Sequence, residues 1–186
     1  PEDLPDISLI EFAPPPGFRR AHAGTPPGTW SDDGAQALVL LASLLECGTF
    51  DAEDFGRRLC DWYQDGYLAV DGRVFDVGIQ TSTAIGALRR GSPALRAGGT
   101  DEWSNGNGSL MRVLPLALWH RGSDAELVKL AQQQSLVTHG HIRSQMCCAL
   151  YCLWARNVLN DVHPAWETAL ATLQEIYRSA PDYQAE

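Results

Sequence analysis

The sequence predicts an all-α fold, and three features of the chain support this prediction. After Trp30, apolar residues recur at steps of three and four, which is the spacing of one face of a helix. Alternation with period two, the pattern of a half-buried strand, is nearly absent. Residues that cap helices precede the periodic segments, and glycines follow several of them. We expect a single domain over residues 1–186, with a proline-rich arm or loop at 1–29 and a helical core at 30–186.

The first two helices are expected at residues 32–47 and 51–65. Ser31 is a possible N-cap of the first helix, and Gly48 is a favourable residue for its end. The second helix follows Asp51, whose carboxylate suits the N-cap position. The expected inner face of the first helix comprises Ala35, Leu38, Ala42 and Leu45.

A third and a fourth helix are expected in the middle of the chain. The third runs from about Thr81 to Arg90 and stops at a glycine. The fourth follows the glycines near Asn107 and continues to Trp119. Pro115 lies inside this segment, and because proline cannot donate a helix hydrogen bond, a kink or a late start is expected there.

Three further helices are expected towards the end of the sequence. Ser123 and Glu126 have the spacing of a capping box and predict a helix start. A long helix is expected at 141–159, and a last one begins near Pro164, a favourable residue for a first turn. The expected inner face of the long helix comprises Met146, Leu150, Leu153 and Trp154.

Composition excludes some classes of function. The 14 basic and 23 acidic residues leave a net charge of −9. Such a chain is not expected to offer a broad nucleic-acid surface or a membrane surface, although a local site can still bind a small anion. The five cysteines are odd in number and lack the spacing of a disulfide framework, and neither a signal peptide nor a membrane span is apparent. A cytoplasmic location is therefore expected.

Four polar or glycine-rich clusters lie at the expected helix starts, where unpaired N–H groups attract anions. The first cluster is Ser31, Asp32 and Asp33. Their hydroxyl and carboxylate oxygens suit Mg²⁺ or Mn²⁺ better than Zn²⁺, so the three residues are candidate metal ligands. Acids are also common in the first turn of any helix, so the pair alone leaves an ordinary structural role open.

The second and third clusters contain a single carboxylate and a glycine loop. Asp76, two residues before Gly78, is either a carboxylate near a reacting centre or an ordinary cap. In the loop Ser104–Ser109, two glycines alternate with asparagines. Glycine lets a backbone approach a ligand closely, and the helix behind it offers N–H groups to a phosphate. A simple tight loop is the alternative interpretation.

The fourth cluster, Thr138–His141, contains two histidines that could bind a metal, cap a helix or contact a ligand. Cys147 and two other nearby cysteines add the alternative of a zinc site. Cys148 and Cys152, however, are four residues apart among apolar neighbours, which favours thiols of the hydrophobic core.

These clusters occur in the order of the motifs of the ADP-ribosylglycohydrolase family. Pro26–Asp33 resembles the first metal motif of that family, and Phe75–Gly78 resembles its phenylalanine-aspartate-isoleucine-glycine segment. Ser104–Arg112 resembles its glycine-asparagine-glycine loop with the trailing methionine and arginine, and Thr138–His141 resembles its threonine-histidine motif. The resemblance extends from about residue 24 to residue 154 and implies a compact, roughly orthogonal multi-helix fold.

The resemblance also implies a metal-dependent hydrolase that cleaves the glycosidic bond between ADP-ribose and an acceptor. Its substrate would be an ADP-ribosylated protein or a small ADP-ribosyl compound, and its cofactors would be two Mg²⁺ or Mn²⁺ ions. By motif, the metal ligands would be Ser31, Asp32 and Asp33, and the catalytic residues would be Asp76 and Asp33. The expected substrate-binding residues are Asn105, Gly106, Asn107, Gly108, Ser109, Met111, His139 and His141.

Two motifs of the family are not found in this sequence: its glycine-rich first helix and its second, carboxy-terminal metal motif. Two interpretations follow. The chain is incomplete relative to a full hydrolase, or it is a catalytically weak relative that binds ADP-ribose or blocks an ADP-ribosyltransferase, as an immunity protein would. The sequence leaves the acceptor, the choice between Mg²⁺ and Mn²⁺ and the oligomeric state open.

Overall fold

The computed structural model describes residues 17–19, 21–26 and 28–179. The chain divides into two units, Pro1–Trp30 and Ser31–Glu186. In the described part of the first unit the backbone forms turns, and most of the prolines that predict an arm lie outside the described residues. The organisation as a single domain stays a prediction.

The described part of the second unit is helical. Its only bridge between extended segments is an isolated one, joining Gly99 and His139 in parallel, so the all-α prediction is confirmed. Short 3₁₀ turns occur at Val70–Gly72 and Ala94–Arg96. The α-helices within residues 31–179 are α1 Asp32–Cys47, α2 Ala52–Asp65, α3 Ile79–Arg89, α4 Gly108–Met111, α5 Leu114–Trp119, α6 Asp124–Leu136, α7 Ile142–Leu159 and α8 Ala165–Arg178.

Capping explains why several helices begin and end where the sequence predicts. The carboxylate of Asp51 accepts hydrogen bonds from the N–H groups of Glu53 and Asp54, at 2.9 and 3.0 Å, and so starts α2. Ser123 and Glu126 form the expected capping box at the start of α6. These bonds satisfy backbone donors that a helix leaves unpaired at its first turn.

Two helix starts differ in detail from those expected. The segment ending at Trp119 forms two short helices, α4 and α5, instead of one helix. Pro115 lies in the first turn of α5, where its missing N–H removes no hydrogen bond, so the late start is the alternative that occurs. Helix α3 begins at Ile79 rather than Thr81, because Gly78 with its extended backbone is the N-cap.

The predicted inner faces of α1 and α7 are also partly wrong. Leu45 is 66% exposed, and the fully buried apolar face of α1 contains Val39, Leu40 and Leu44 instead. In α7, Trp154 is 38% exposed and stacks edge-on against Trp166 of α8, with ring centroids 5.5 Å apart. The buried residues of α7 are Ser144, Cys148, Ala149, Cys152 and Leu153.

Helix α7 lies at the centre of the helical unit, because it packs against α4, α5, α6 and α8. Helix α1 packs against α2, α4 and α5. The starts of α1, α4 and α7, which carry three of the polar clusters, are thereby held by one continuous hydrophobic core. No helix among the described residues is both long and apolar enough to cross a bilayer.

Candidate functional site

Three carboxylates interact at the start of α1. Burial raises the pKa of Asp32 to about 6, and the negative charges of Asp33 and Asp76 add to this effect. Burial and the charge of Asp76 also raise the pKa of Asp33, while the positive charge of Arg112 opposes the change. The fold therefore brings Asp76, from the segment before α3, close enough to the aspartate pair for mutual repulsion.

Ser31 joins this carboxylate group. It occupies the N-cap position of α1 with an extended backbone, but its hydroxyl does not cap the helix. The side chain instead hydrogen-bonds to Asp32, an interaction that opposes the rise in the pKa of that residue. Ser31, Asp32 and Asp33 thus offer adjacent oxygen atoms at one place, as the sequence suggests.

Asp76 has an unusual backbone conformation. Its φ is +61°, in the left-handed region, whereas Gly78 has φ −64°. A residue other than glycine in this region carries strain of about 1–3 kcal/mol, although aspartate tolerates it better than most residues. The strained turn leaves Asp76 exposed to solvent beside the aspartate pair.

The glycine loop is fastened to two helices. The side chain of Gln80, in the first turn of α3, donates to the carbonyl of Trp103 at 2.9 Å and accepts from the N–H of Gly106 at 3.0 Å. From the other side, the hydroxyl of Ser144 in α7 donates to the carbonyl of Gly106 at 3.0 Å. The backbone of this loop is therefore held in place by protein contacts.

The two glycines of the loop lie close to side chains of the protein itself. A Cβ at Gly106 would lie 2.5 Å from the Oε1 atom of Gln80, and one at Gly108 would lie 3.0 Å from the Cε1 atom of His139. The sequence predicts that the loop backbone lies close to a ligand. In the structure, the same backbone also lies close to Gln80 and His139.

Ser109 and His139 lie behind the loop. Ser109 is fully buried, and its hydroxyl oxygen is 2.8 Å from that of Ser135, which in turn donates to the carbonyl of His139. Burial, followed by the charge of Arg112, lowers the pKa of His139 to about 3, so its ring is neutral at pH 7. Its Nδ1 atom lies 2.7 Å from the hydroxyl of Thr138. The hydroxyl of Ser109 therefore faces the protein interior, and the ring edge of His139 faces Gly108.

The remaining predicted substrate-binding residues are more exposed. Asn105, Asn107 and Met111 lie at the surface of the loop and of α4. His141 caps α7 by accepting a hydrogen bond from the N–H of Arg143 at 3.2 Å, one of the roles that the sequence left open. The substrate-binding role of these residues stays a prediction.

Three buried residues that were not among the predicted site residues connect the start of α1 with helices α4 and α6. Arg112 donates to the Oε1 atoms of Gln36 and of Gln134, at 2.8 and 3.1 Å. All three side chains are less than 2% exposed. A signal exists in the sequence, because glutamine interrupts the otherwise apolar segment after Asp33 and lies one turn from Asp32.

The oxygen donors at the start of α1 fit a hard cation only in part. Among the residues that the structure describes, no group of three or more histidine, cysteine or acidic side chains has the arrangement of a metal site. The donor types are nevertheless those of Mg²⁺ or Mn²⁺, and Mg²⁺ commonly binds through one or two carboxylates and keeps several waters. The donor types of Ser31, Asp32 and Asp33 thus fit such an ion.

The cysteines of α7 do not resemble a zinc site. Cys148 and Cys152 are fully buried in the hydrophobic core, and burial raises the pKa of Cys148 to about 11. A zinc ligand must be a thiolate, which this environment disfavours. The thiols are core residues, the interpretation that the sequence favoured.

Two sizeable cavities lie elsewhere on the helical unit. One, of about 550 Å³, is lined by His120, Arg121 and Arg156 among others. The other, of about 500 Å³, is lined by residues of α2, the end of α3 and the segment after it. Neither is lined by any of the predicted site residues.

Comparison with known proteins agrees with the sequence motifs. The family model for ADP-ribosylglycohydrolase matches residues 3–186. The "ADP-ribosylarginine hydrolase Tri1" of Pseudomonas putida is 35% identical over 134 residues, which cover 72% of this chain and 36% of that protein. The "ADP-ribosyl-[dinitrogen reductase] glycohydrolase" of Rhodospirillum rubrum is 32% identical over 127 residues, which cover 66% and 38% of the two proteins.

A solved structure shows the same fold. The chain of an "ADP-ribosylglycohydrolase-related protein complex" matches with a TM-score of 0.59 and 32% sequence identity, over 84% of this chain and 48% of that chain. The present chain spans about a third of the length of the curated relatives. With the family model matched over nearly all of its length, this chain belongs to the ADP-ribosylglycohydrolase family.

Proposed function

We propose that the protein is a hydrolase that removes ADP-ribosyl groups from other proteins, and that its activity depends on Mg²⁺ or Mn²⁺. The observation that carries the proposal is the group formed by Asp32, Asp33 and Asp76. Burial and the mutual repulsion of these carboxylates raise the pKa values of Asp32 and Asp33, and a divalent cation bound beside them would relieve that repulsion. Family membership supports ADP-ribose as the substrate group.

Arginine is the acceptor that the relatives favour. Two of them, from Pseudomonas putida and Serratia proteamaculans, bear the name ADP-ribosylarginine hydrolase, and a third is named for an ADP-ribosylated dinitrogen reductase. We therefore propose that the scissile bond joins C1 of the distal ribose to a guanidino nitrogen of a modified protein.

The residues of the site have distinct parts in this reaction. Asp76 or Asp33 accepts the proton of the attacking water, whose oxygen forms the new bond to the ribose carbon. The guanidino nitrogen leaves with the electron pair of the broken bond and takes up a proton. Ser31, Asp32 and Asp33 would hold the cation, which when bound polarises oxygen atoms of substrate or water.

The loop Ser104–Ser109 would hold the diphosphate. Its backbone is fixed by Gln80 and Ser144 and leads into α4. A preformed loop costs little conformational entropy when it binds a ligand. Its exposed asparagines would make polar contacts with the nucleotide part of the substrate, while the buried, neutral ring of His139 supports the loop at Gly108 from behind.

The test uses a protein that carries ADP-ribose on arginine. We expect the purified chain to release free ADP-ribose, measured by chromatography, in the presence of Mg²⁺ or Mn²⁺ and not in EDTA. A carrier modified on serine serves as the control for the acceptor. Equal release in EDTA would contradict the proposed metal dependence, and release from the serine carrier alone would contradict the proposed acceptor.

A second function has one observation in its favour. No three histidine, cysteine or acidic side chains of the described residues are arranged to hold a metal ion, so binding of ADP-ribose without turnover is the second candidate function. Calorimetry distinguishes the two functions. Tight ADP-ribose binding with no release from any carrier, at any concentration of Mg²⁺ or Mn²⁺, would support a binding or immunity-type protein over a hydrolase.

A further inference from the structure

The helical unit contains a fully buried cation whose hydrogen-bond partners are neutral. Arg112 has no exposed surface, and no carboxylate of the described residues lies within ion-pair distance of its guanidinium. Its hydrogen-bond acceptors are two side-chain amides and a backbone carbonyl, and its guanidinium carbon lies 5.1 Å from the ring centroid of Phe55. Burial of a charge without an ionic partner is costly, and a core that needed only volume would contain an apolar residue here.

On one side, Arg112 orients the amide of Gln36. The Nη1 atom donates to the Oε1 atom of Gln36 at 2.8 Å, so the amide nitrogen must point the other way. That nitrogen lies 3.5 Å from the Oδ2 atom of Asp32, one helical turn earlier in α1. Without the arginine, the amide could rotate and present its oxygen to the carboxylate, which would repel it.

On the other side, Arg112 orients the amide of Gln134. The Nε atom donates to the Oε1 atom of Gln134 at 3.1 Å, and Nη2 donates to the carbonyl of the same residue at 3.0 Å. The amide nitrogen of Gln134 then donates to the carbonyl of Ser109 at 3.1 Å. This contact reaches Ser109, the last residue of the loop motif and the second residue of α4.

The two glutamines have equivalent roles on opposite sides of one guanidinium. Each offers its oxygen to Arg112 and its nitrogen to a part of the candidate site, the carboxylate group in one case and the loop in the other. The rigid fork of the guanidinium fixes both amides at once, which a lysine ammonium cannot do in the same geometry.

We propose that Arg112 is a positioning residue, which acts through Gln36 on Asp32 and through Gln134 on the loop at Ser109, and so holds the two halves of the site in register. This inference rests on the proposed function, since it assigns a cation to one half and ADP-ribose to the other. Because each glutamine serves one half, the two effects are separable by substitution.

The experiment compares four substitutions in the purified chain: Gln36→Met, Gln134→Met, Arg112→Lys and Gln132→Met. Mn²⁺ binding is measured by electron paramagnetic resonance, and ADP-ribose binding by calorimetry without metal. Gln132→Met is the matched control, because Gln132 is also a buried amide of α6 but donates to the hydroxyl of Tyr177, away from the site. Melting temperatures show the general cost of removing a buried amide.

We expect a split between the two ligands. Gln36→Met should weaken Mn²⁺ binding roughly tenfold or more and leave the affinity for ADP-ribose within a factor of about two. Gln134→Met should weaken ADP-ribose binding roughly tenfold or more and leave the affinity for Mn²⁺ within a factor of about two. Arg112→Lys should weaken the binding of both ligands. Gln132→Met lowers the melting temperature and changes neither affinity. If Arg112→Lys does not fold, the opposite effects of the two glutamine variants still test the positioning role.

Two results would overturn the inference. Equal losses in all variants, the control included, would show a purely structural role for Arg112, while the proposed function would stand. A wild-type chain that binds neither Mn²⁺ nor ADP-ribose would refute the proposed function and the positioning role together.

Discussion

The guanidinium of Arg112 donates a 2.8 Å hydrogen bond to the side-chain oxygen of Gln36, deep in the core and one helical turn from Asp32. This contact joins the short helix α4 to the start of α1. It places a positive charge near Asp33, where it opposes the rise in the pKa that burial and Asp76 cause. The core arginine is therefore part of the environment of the candidate site.

Removal of Arg112 should cost stability. Arg112→Met would leave three buried oxygen atoms, two on Gln134 and one on Gln36, without their donor. We expect the free energy of unfolding to fall by about 3 kcal/mol, since a buried unsatisfied polar group costs about 1–3 kcal/mol. Urea unfolding followed by circular dichroism measures this.

The control is Arg178→Met, which removes an exposed ion pair with Glu175 and should change the free energy by less than about 1 kcal/mol. Similar small changes for both variants would show that the core compensates for the lost guanidinium.

The buried histidine predicts a dependence of stability on pH. Burial and the charge of Arg112 lower the pKa of His139 to about 3, from 6.5 in a solvated chain. Between these values the unfolded chain binds a proton that the folded chain does not, so stability is full above pH 6.5 and falls as the pH decreases towards 3. His139 alone contributes a slope of at most about 1.4 kcal/mol per pH unit.

The measurement is urea unfolding between pH 7.5 and pH 4.5, for the wild type and for His139→Asn. The variant should lose stability less steeply on acidification, whatever its stability at pH 7.5. Identical slopes for the two proteins would mean that His139 is protonated in the folded chain.

A close approach of two backbone segments predicts the effect of a single methyl group. A Cβ at Gly140 would lie 2.7 Å from the carbonyl oxygen of Gly98, close to the hydrogen bond that joins Gly140 and Gly99. Gly140→Ala should therefore destabilise the fold by about 2 kcal/mol or more and displace the neighbouring His139. Thermal unfolding and the histidine ring signals in nuclear magnetic resonance spectra report the two effects.

Gly86→Ala is the matched control, since Gly86 lies inside α3 and its nearest neighbour is the mobile end of Arg90, at 3.3 Å. This variant should be more stable than the wild type by about 0.5–1 kcal/mol. A tolerated alanine at position 140 would contradict the close packing of the two segments.

The sequence predicted the ends of helices better than their buried faces. Asp51, Ser123 and Gly48 act through bonds or dihedral angles within a few residues, so their effect can be read locally. The inner face of α1 was misjudged because apolar residues surround much of this helix, and its periodicity does not select one side. Leu40 is buried and Leu45 is exposed because of where α2, α4 and α5 pack against α1, which the sequence of α1 alone does not contain.

The candidate site was predictable where its motifs are contiguous. Asp32 and Asp33 do lie at a helix start with Asp76 nearby. The roles of Gln36 and Gln134 were not predictable, because two glutamines on separate helices acquire them only when Arg112 is packed between those helices. The inward-facing hydroxyl of Ser109 likewise follows from its contact with Ser135, which the spacing of residues does not reveal.

The most direct test of the account is the release of ADP-ribose from an arginine-modified protein by the double variant Asp32→Asn/Asp33→Asn. Glu46→Gln is the matched control, because it neutralises an exposed acid near the other end of α1. We expect the double variant to lose roughly a hundredfold or more of the metal-dependent activity while it stays folded, and the control to keep the wild-type rate. Wild-type release by the double variant would contradict a catalytic role for the carboxylates of α1.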